Sequence, residues 1–351
     1  MNQFPVCPVV EACGGCPLLA LTAEQERSSK LELLHQLQSR LGLSRLEPEL
    51  VASPQRVLYR NRIRLRIDEL GQIVFFNSEK SPNCAVLMPA LREHLNHLRH
   101  WSRLHPRALA SISHLEVRAQ DSDGLYGVFL TALPGYGSPL RVVEELASFF
   151  QNQVVATNLG AVTPTQRFHI DDETFQLVPL DGFLQVNFDV NRLLVEHVVR
   201  AAKRHEVRTF ADLYSGSGNF TLPLAKAGLG GAGVESVVSS VSAAQASAHE
   251  QRLFGVEFHH GDVSDRARAW LAEGRGFDLV LIDPPRAGVR IGLDVIAELA
   301  RHSIAYCSCN PRTLERDLSL LQREGWYLER ITGFDMFPGT RHLEVLAWLT
   351  R

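Results

Sequence analysis

From about Asn191 onward, apolar strand-like segments alternate with helical segments, and this alternation constrains the fold of the 351-residue chain more than any other feature. The predicted strands cover residues 209–214, 232–235, 256–260, 277–282 and 304–307, and the predicted helices cover 220–227, 241–254, 293–301 and 312–323. Two closing strands, over 326–334 and 343–349, resemble an antiparallel edge. Strands that alternate with helices predict a parallel, doubly wound α/β sheet.

The first half of the chain predicts a mixed α+β region. A helix is expected after Thr22, because Thr22 and Gln25 form a capping-box pattern. Within residues 58–76, apolar side chains alternate with arginines, which predicts a strand with one apolar and one arginine-lined face. Further elements are expected over 113–118, 127–131 and 141–150. We therefore expect two domains, an α+β region over residues 1–185 and the α/β domain over residues 186–351.

The composition is that of an ordinary globular protein, with 45% hydrophobic and 21% charged residues. No apolar run is long enough to span a bilayer and no signal-peptide pattern opens the chain, so we expect a cytoplasmic protein. The net charge of -3 does not indicate a nucleic-acid partner, but residues 51–110 carry ten basic and four acidic residues. From charge alone, a phosphate-contacting face and a solvated surface are equally good interpretations.

One thiol, that of Cys309, is predicted to lie where a strand ends and a helix begins. The apolar strand that ends at Cys307 leads into Ser308-Cys309-Asn310-Pro311, and a helix follows. In open α/β sheets, ligands bind at the carboxyl ends of the strands. The helix N-terminus is expected to lower the pKa of the Cys309 thiol and to favour the nucleophilic thiolate. The alternative for a single cysteine is a buried structural role, which we expect for Cys307.

A second motif, at residues 211–220, predicts a ligand-binding loop. A strand ends there, Gly216 and Gly218 let a ligand approach the backbone closely, and a helix follows. The next strand ends at Glu235, 19 residues after Gly216, which is the spacing of carboxylates that bind ribose hydroxyls. Because the full Gly-x-Gly-x-x-Gly motif of dinucleotide sites is absent, the combination with Asp212 favours S-adenosylmethionine over NAD.

Two carboxylates are expected to face the same crevice. Asp283 ends an apolar strand and precedes Pro284-Pro285, a loop similar to that of amino-group methylases, in which an aromatic residue usually follows. Arg286 stands at that position and argues against methylation of an exocyclic amine. Glu344 begins the last strand after a loop, and by itself it would be a surface carboxylate more often than a catalytic one.

Four cysteines in the first quarter of the chain form a pattern typical of a metal site: Cys7, Cys13, Cys16 and Cys84. Thiolate sites of this kind suit zinc and iron–sulfur clusters equally. Free buried cysteines are the alternative, which the Cys-x-x-Cys spacing disfavours.

Together, these segments resemble one family, the RNA uracil-C5 methyltransferases, which make 5-methyluridine. Four motifs match its pattern in order and spacing: DLYSGSGNFTLPLA at 212–225, VLIDPPRAG at 280–288, YCSCNPRTLERDL at 306–318 and DMFPGTRHLEV at 335–345. The sequence FLQVN at 183–187 matches a further family segment, and the four N-terminal cysteines match the iron–sulfur cysteines of the ribosomal RNA branch. The resemblance covers nearly the whole chain.

The resemblance implies a Rossmann-like catalytic domain that uses S-adenosylmethionine, after an RNA-binding region with a [4Fe–4S] cluster on the four cysteines. It implies that Cys309 adds to C6 of uracil, that C5 then takes the methyl group, and that Glu344 removes the C5 proton. The implied cofactor contacts are Gln185, Tyr214, Gly216, Asn219, Glu235, Asp262 and Asp283. A structural or RNA-orienting role is expected for the cluster, because it lies in a different segment from the reaction centre.

The expected substrate is a uridine in 23S ribosomal RNA, because the cluster cysteines are typical of the ribosomal RNA members. A transfer RNA is the alternative, and a non-catalytic iron–sulfur RNA-binding or ribosome-assembly factor is another. The presence of both Cys309 and Glu344 argues against a non-catalytic protein. The expected contacts to the RNA backbone are Arg60, Arg62, Arg64 and Arg66. No membrane and no protein partner is inferred.

Overall fold

The structure is a computed structural model that describes residues 7, 9–43, 47–74, 84–105, 107–120, 124–135, 139–150, 152–160, 163–289 and 292–351. Two residues of the basic segment, Glu79 and Lys80, lie outside the described residues. The same holds for residues 75–76, which were expected to end a strand.

The strands and helices have the following bounds. The strands are β1 Glu49–Val51, β2 Arg62–Ile67, β3 Ile73–Val74, β4 Ile112–Ala119, β5 Tyr126–Ala132, β6 Gln153–Thr157, β7 Thr165–His169, β8 Phe175–Pro179, β9 Thr209–Leu213, β10 Gly230–Glu235, β11 Val256–His260, β12 Phe277–Ile282, β13 Ala300–Ser308, β14 Tyr327–Phe334 and β15 Glu344–Thr350. The α-helices are α1 Val10–Cys13, α2 Ala23–Arg40, α3 Pro89–Leu104, α4 Leu140–Phe149, α5 Phe188–Arg204, α6 Thr221–Lys226, α7 Val238–Glu250, α8 Val263–Ala272, α9 Leu293–Leu299 and α10 Pro311–Arg323.

An eight-stranded sheet forms the centre of the α/β part, in the order β1-β14-β15-β13-β12-β9-β10-β11. Strands β9 to β13 pair in parallel, and β15 is inserted antiparallel between β13 and β14. The strand order reverses between β9 and β12, which creates the switch point at which such sheets bind ligands. The predicted doubly wound sheet with an antiparallel closing pair is therefore confirmed.

Helices on both sides of this sheet bury both of its faces. Because alternate residues of a strand point to opposite faces, Val280 and Ile282 join one core, whereas Leu279 and Leu281 join the other. All four side chains are fully buried. Burial on both faces explains why these strands are continuous apolar runs in the sequence.

Helix α2 and strand β1 complete the same α/β layer. The predicted capping box forms, since the Gln25 amide donates to Thr22 Oγ1 at 3.2 Å and the Thr22 amide donates to Gln25 Oε1 at 3.0 Å. Strand β1 pairs in parallel with β14. Leu34 of α2 lies so close to β14 that a Cβ at Gly333 would be 2.6 Å from its side chain. Residues before the expected boundary at 185/186 thus belong to the α/β core, and the boundary itself stays a prediction.

The second sheet has five strands, in the order β3-β2-β4-β5-β6, and α3 and α4 cover its apolar face. As predicted, Ile63 and Leu65 of β2 are buried, whereas Arg64 and Arg66 are exposed on the other face. Helix α3 is absent from the predictions because histidines and arginines interrupt its apolar stripe. In the described part of the chain, no helix has both the length and the apolar character needed to cross a membrane.

Candidate active site

Segments that are far apart in the sequence meet at the carboxyl edge of the eight-stranded sheet. Leu213, Ile282 and Ser308 end β9, β12 and β13 at this edge. Because β15 runs antiparallel to β13, its first residue, Glu344, lies at the same edge. Five side chains come together there and form what we call the crevice: Asp283, Arg286, Cys307, Cys309 and Glu344.

Cys309 lies in the loop between β13 and α10, and its side chain is half-buried. The Asn310 amide donates to Ser308 Oγ at 3.1 Å. Asn310 is also the N-cap of α10, because its Oδ1 accepts from the Arg312 amide at 3.2 Å. These two bonds hold the short loop that carries the thiol, and one free N–H group of the helix is satisfied by Asn310 rather than by sulfur.

The pKa of the Cys309 thiol is raised, which corrects the expectation that the helix lowers it. Burial is the largest cause and the Glu344 carboxylate adds to it, since both disfavour the negatively charged thiolate. The guanidinium of Arg286 acts in the opposite direction. The Arg286 guanidinium is therefore a group beside the thiol that favours the thiolate.

Glu344 is buried beside two other groups that can carry a proton, Asp283 and Cys307. One oxygen of each carboxyl group and the Cys307 sulfur lie within 4.8 Å of one another. Burial raises the pKa of Glu344 well above its usual range and Asp283 raises it further, while Cys307 and Arg286 lower it. Glu344 therefore binds a proton more tightly than an exposed glutamate does, as a general base for a carbon-bound proton requires.

Cys307, which was expected to be a buried structural cysteine, is buried and also contacts the crevice. Its side chain is fully buried, but its sulfur donates a hydrogen bond to Glu344 Oε1 at 3.5 Å. Burial and then Glu344 raise the pKa of the Cys307 thiol well above its usual range. Burial therefore keeps the Cys307 thiol protonated.

Arg286 is a residue of the crevice that the sequence predictions did not include. Its carbonyl accepts from Asn310 Nδ2 at 2.9 Å and from Thr313 Oγ1 at 3.3 Å, so that the loop after β12 is tied to the start of α10. This places a cation beside both Cys309 and Glu344. The signal that could have found it is its position directly after Asp-Pro-Pro, at the end of a buried strand.

Asp317 of α10 forms hydrogen bonds that support the loop carrying Arg286. Its Oδ2 accepts from the Tyr306 hydroxyl at 2.6 Å and from the Val289 amide at 2.9 Å. Gly288, with φ of 71°, passes so close that a Cβ there would lie 2.5 Å from Asp317 Oδ2. A glycine is therefore needed at this position, and the loop that carries Arg286 is rigidly supported.

The glycine loop after β9 lies next to the crevice. Tyr214, Gly216 and Gly218 have φ of 70°, 55° and 95°, which produces the sharp turn into α6. The Gly216 amide donates to Glu235 Oε2 at 3.1 Å, and the Val237 amide donates to Glu235 Oε1 at 2.8 Å. One carboxylate thus joins the loops after β9 and β10.

Two amide side chains lie behind this loop. Asn219 and Asn191 exchange reciprocal hydrogen bonds of 2.8 and 3.0 Å. Gln185 is buried, and its backbone carbonyl accepts from Asn61 Nδ2 at 2.8 Å.

Asp262 is the N-cap of α8, and this role accounts for the residue without a ligand. Its Oδ1 accepts from the Ser264 amide at 2.8 Å, and the Ser264 side chain is the largest cause of its lowered pKa. Burial and then Asp262 raise the pKa of Tyr214, which places Asp262 near the glycine loop.

Several buried polar atoms of the glycine loop lack a hydrogen-bond partner among the described residues: Asp212 Oδ1, Ser215 Oγ and Ser217 Oγ. The other Asp212 oxygen accepts from Thr221 Oγ1 at 2.5 Å. Burial raises the pKa of Asp212 to about 7. Buried polar groups are nearly always hydrogen-bonded, so these atoms fit a loop that binds a polar ligand.

The four N-terminal cysteines line one small cavity, which we call the cysteine pocket: Cys7, Cys13, Cys16 and Cys84. Apolar side chains, among them Val10 and Leu19, complete its walls. Burial raises the pKa of Cys16 to about 12, and Cys84 raises it further, whereas Arg60 lowers it. Because burial and mutual repulsion disfavour neighbouring thiolates, such a cavity fits a metal centre that compensates their charge.

The cysteine pocket contacts the loop that leads to Glu344. The Leu18 amide donates to the Gly339 carbonyl at 2.8 Å, and the Tyr59 hydroxyl donates to the Pro338 carbonyl at 3.1 Å. The predicted metal site therefore packs beside the loop that precedes Glu344, although the two lie in different segments of the sequence.

A buried ion cluster holds the same loop against α2. The ammonium group of Lys30, fully buried, donates to Glu26 Oε1 at 2.7 Å and to Asp335 Oδ1 at 2.6 Å. Glu26 also pairs with Arg56 and accepts from the Gly339 amide. Removing one member of such a cluster would leave an uncompensated charge in the interior.

Comparisons with known proteins identify the family of the chain. The family described as tRNA (Uracil-5-)-methyltransferase matches residues 162–351. The 23S rRNA (uracil(1939)-C(5))-methyltransferase RlmD of Aliivibrio fischeri (strain MJ11) is 30% identical, over 100% of this chain and 83% of that protein. The enzyme of the same name from Edwardsiella ictaluri (strain 93-146) is 33% identical, over 98% of this chain and 81% of that protein.

A solved structure is similar along most of the chain. The Pyrococcus abyssi tRNA (uracil-54, C5)-methyltransferase, in complex with S-adenosyl-L-homocysteine, has a TM-score of 0.73 and 24% identity, and covers 97% of this chain and 86% of that one. This likeness shows a shared fold. The family match and the full-length relatives show more, namely that the chain belongs to the RNA uracil-C5 methyltransferase family.

Proposed function

We propose that this protein uses S-adenosylmethionine to methylate C5 of a uridine in 23S ribosomal RNA. The observation that carries the proposal is the meeting of Cys309 and Glu344 in one crevice, next to the glycine loop. A thiol and a buried carboxyl group supply the nucleophile and the base that methylation at uracil C5 requires. The full-length relatives named as 23S rRNA enzymes support the choice of RNA, and such a substrate favours a cytoplasmic location.

In this proposal Cys309 is the nucleophile. Because C5 of uracil is a weak nucleophile, the Cys309 sulfur forms a bond to C6, and the electron pair of the C5–C6 double bond moves to C5. Bound S-adenosylmethionine supplies the methyl group that C5 takes. Arg286 stabilises the thiolate and so offsets part of the cost of burial.

Glu344 is the base. After methylation, C5 still carries its hydrogen, and a carboxylate oxygen of Glu344 takes this proton. The electron pair of the C–H bond restores the C5–C6 double bond, and the bond between C6 and the Cys309 sulfur breaks. Because the pKa of Glu344 is raised, its deprotonated fraction grows as the pH rises towards that pKa, and elimination becomes faster.

The residues proposed to hold S-adenosylmethionine are Gln185, Tyr214, Gly216, Asn219, Glu235, Asp262 and Asp283. In the proposal Glu235, at the end of β10, accepts from ribose hydroxyls, as carboxylates at this position of the fold do. The unpartnered oxygens of Asp212 and Ser217 support a polar ligand in the loop. Asp262 has the weakest support, because capping α8 already explains it.

The cysteine pocket is proposed to hold a [4Fe–4S] cluster. Its four thiols in one apolar-walled cavity support a metal centre, and the contacts to the loop before Glu344 favour a structural role. Anaerobically purified protein is expected to be brown and to contain iron and sulfide. Colourless, active protein with one zinc ion per chain would contradict the cluster.

The proposed RNA-binding face includes the exposed side of β2. Arg64 and Arg66 are exposed there, whereas Arg62 pairs with Glu116 at 3.4 Å and lies 4.9 Å from the centre of the Phe183 ring. The expected phosphate contacts are therefore concentrated on Arg64 and Arg66.

The test is release of tritium from RNA labelled at uracil C5, taken from cells that lack 5-methyluridine enzymes. Ribosomal and transfer RNA fractions are assayed separately, with and without S-adenosylmethionine. Release from the ribosomal fraction that depends on S-adenosylmethionine is expected. Release from the transfer RNA fraction alone would show that the substrate is transfer RNA and not 23S ribosomal RNA. Absence of release from both fractions and from ribosomal subunits would contradict the activity.

A second experiment tests the roles of the two residues. Glu344→Gln is expected to transfer the methyl group but not to eliminate, so that an RNA adduct remains covalently bound on a denaturing gel. Cys309→Ala in the same background should remove that adduct. Persistence of the adduct without Cys309 would assign the nucleophile to another residue.

A further inference from the structure

Cys307 is a thiol of the crevice for which the proposed reaction has no use. It lies opposite Leu346 in the antiparallel pair of β13 and β15. Glu344 is two residues from Leu346 and so points to the same face of the sheet. The two strands therefore make Cys307 and Glu344 diagonal neighbours, joined by the 3.5 Å hydrogen bond from Sγ to Oε1.

Cys307 is suited to donate this bond and not to act as a nucleophile. Its side chain is fully buried, and burial together with Glu344 keeps its thiol protonated. Buried, protonated thiols are chemically inert. Cys309 differs because it is only half-buried and has the Arg286 guanidinium beside it.

The Glu344 carboxyl group needs such a partner. Within the part of the chain that the structure describes, its hydrogen bond comes from Cys307. The terminal torsion of a glutamate is only weakly restricted. A bond to Oε1 therefore decides how the carboxyl plane is turned, and a base must hold a defined orientation towards the proton that it removes.

Building on the proposed function, we propose that Cys307 is a positioning residue for the base: its thiol holds Oε1 of Glu344 and leaves Oε2 free to take the C5 proton. The bond also stabilises the charged carboxylate against burial. The other ionisable groups that face Glu344 are Asp283 and Arg286 on the loop after β12 and Cys309 on the loop after β13. Loss of the thiol should slow elimination and leave methyl transfer nearly unchanged.

The experiment compares Cys307→Ala and Cys307→Ser with the wild-type protein in single turnovers at several pH values. Methyl incorporation, covalent adduct and tritium release are measured in the same reactions. For Cys307→Ala, release should slow about tenfold, which is the effect of one hydrogen bond to a charged group. The adduct should accumulate, and the acid limb of the release rate should move to higher pH. Cys307→Ser keeps a donor and should restore most of the rate.

Two results would overturn the proposal. One is an unchanged adduct level and pH limb in Cys307→Ala, and the other is an equal loss in Cys307→Ser and Cys307→Ala. A purely structural role would slow methyl transfer as well, and would lower the unfolding midpoint in proportion.

A spectroscopic measurement on the wild-type fold separates this proposal from the proposed function. The S–H stretching band of Cys307, identified by its loss in Cys307→Ser, should shift when Glu344 is changed to Gln. A band that does not respond would exclude the hydrogen bond whether or not the protein methylates RNA. If the wild-type protein is inactive but its band responds, the contact between Cys307 and Glu344 is supported and the proposed reaction is contradicted.

Discussion

The crevice and the cysteine pocket both collect residues from distant parts of the chain, but different interactions hold them. In the crevice, Asp283, Cys307 and Glu344 stand at the ends of three hydrogen-bonded strands, so that backbone register sets their positions. In the cysteine pocket, the four cysteines lie on loops and on the end of a single helical turn, outside any strand.

What replaces strand register around the cysteine pocket is a small number of contacts with the loop before Glu344. These are two hydrogen bonds to residues 338 and 339 and the buried ion cluster around Lys30. The crevice should therefore tolerate the loss of single side chains, whereas the environment of the pocket should not. The loop over residues 335–343 lies between the two regions, since it contacts the residues around the pocket and leads to Glu344.

The largest expected effect tests the crevice side of this comparison. Cys309→Ala should reduce turnover roughly a thousandfold or more, because a covalent step loses its nucleophile. The free energy of unfolding should change by less than about 1 kcal/mol, since the residue is half-buried and every strand hydrogen bond remains. Rates come from the tritium assay and stability from urea unfolding. A large loss of unfolding free energy in Cys309→Ala would mean that side-chain contacts, and not strand register, hold the crevice together.

The second effect tests the ion cluster. Lys30→Met should lower the free energy of unfolding by about 3–5 kcal/mol, because Glu26 and Asp335 lose their buried partner. The amide of Leu18, bonded to Gly339, should exchange its hydrogen faster. Arg40→Met is the matched control, since Arg40 pairs with Glu315 on the surface and should cost less than about 1 kcal/mol. Equal costs for the two variants would show that the cluster does not support the loop.

The third effect concerns a carboxyl group beside the glycine loop. Because the pKa of Asp212 is raised to about 7, the folded state binds this proton more tightly than the unfolded state, and stability falls as the pH rises from the ordinary aspartate range to 7. Asp212→Asn should remove this dependence and raise stability at pH 8 by about 1 kcal/mol or more. Urea midpoints at pH 5 and pH 8 measure it, with exposed Asp265→Asn as control. If the urea midpoint changes equally with pH in all three proteins, the pKa of Asp212 is that of an ordinary aspartate.

The smallest effect sharpens the role of the second sheet. Replacing Arg64 and Arg66 by Ala should weaken RNA binding and reduce the slope of log affinity against log salt by roughly 0.7–0.9 for each phosphate that is no longer neutralised. Filter binding at several salt concentrations measures the slope. Arg141→Ala, on the surface of α4, is the control and should leave it unchanged. An unaltered slope in the double variant would mean that the arginine-lined face of β2 is a solvated surface that does not contact RNA phosphates.

Much of the α/β domain could be predicted because its signals are local. The strands over 256–260 and 277–282 have the predicted bounds. Burial on both faces makes the second an almost continuous apolar run, whereas the first is an edge strand in which Phe258 is the buried residue. Helix α3 and strand β1 could not be predicted in the same way. The first mixes polar residues into its stripe, and the second is a three-residue strand that is defined by its pairing with β14.

The sequence by itself determined the family resemblance, and with it the residues that are expected to carry the chemistry: Cys309, Glu344 and the four N-terminal cysteines. Only the tertiary structure decided the electrostatic environment of these residues. Arg286 favours the Cys309 thiolate, and Cys307 is a partner of Glu344. Burial, strand register and the charges of neighbouring loops set pKa values and hydrogen bonds, and these depend on which segments meet in space.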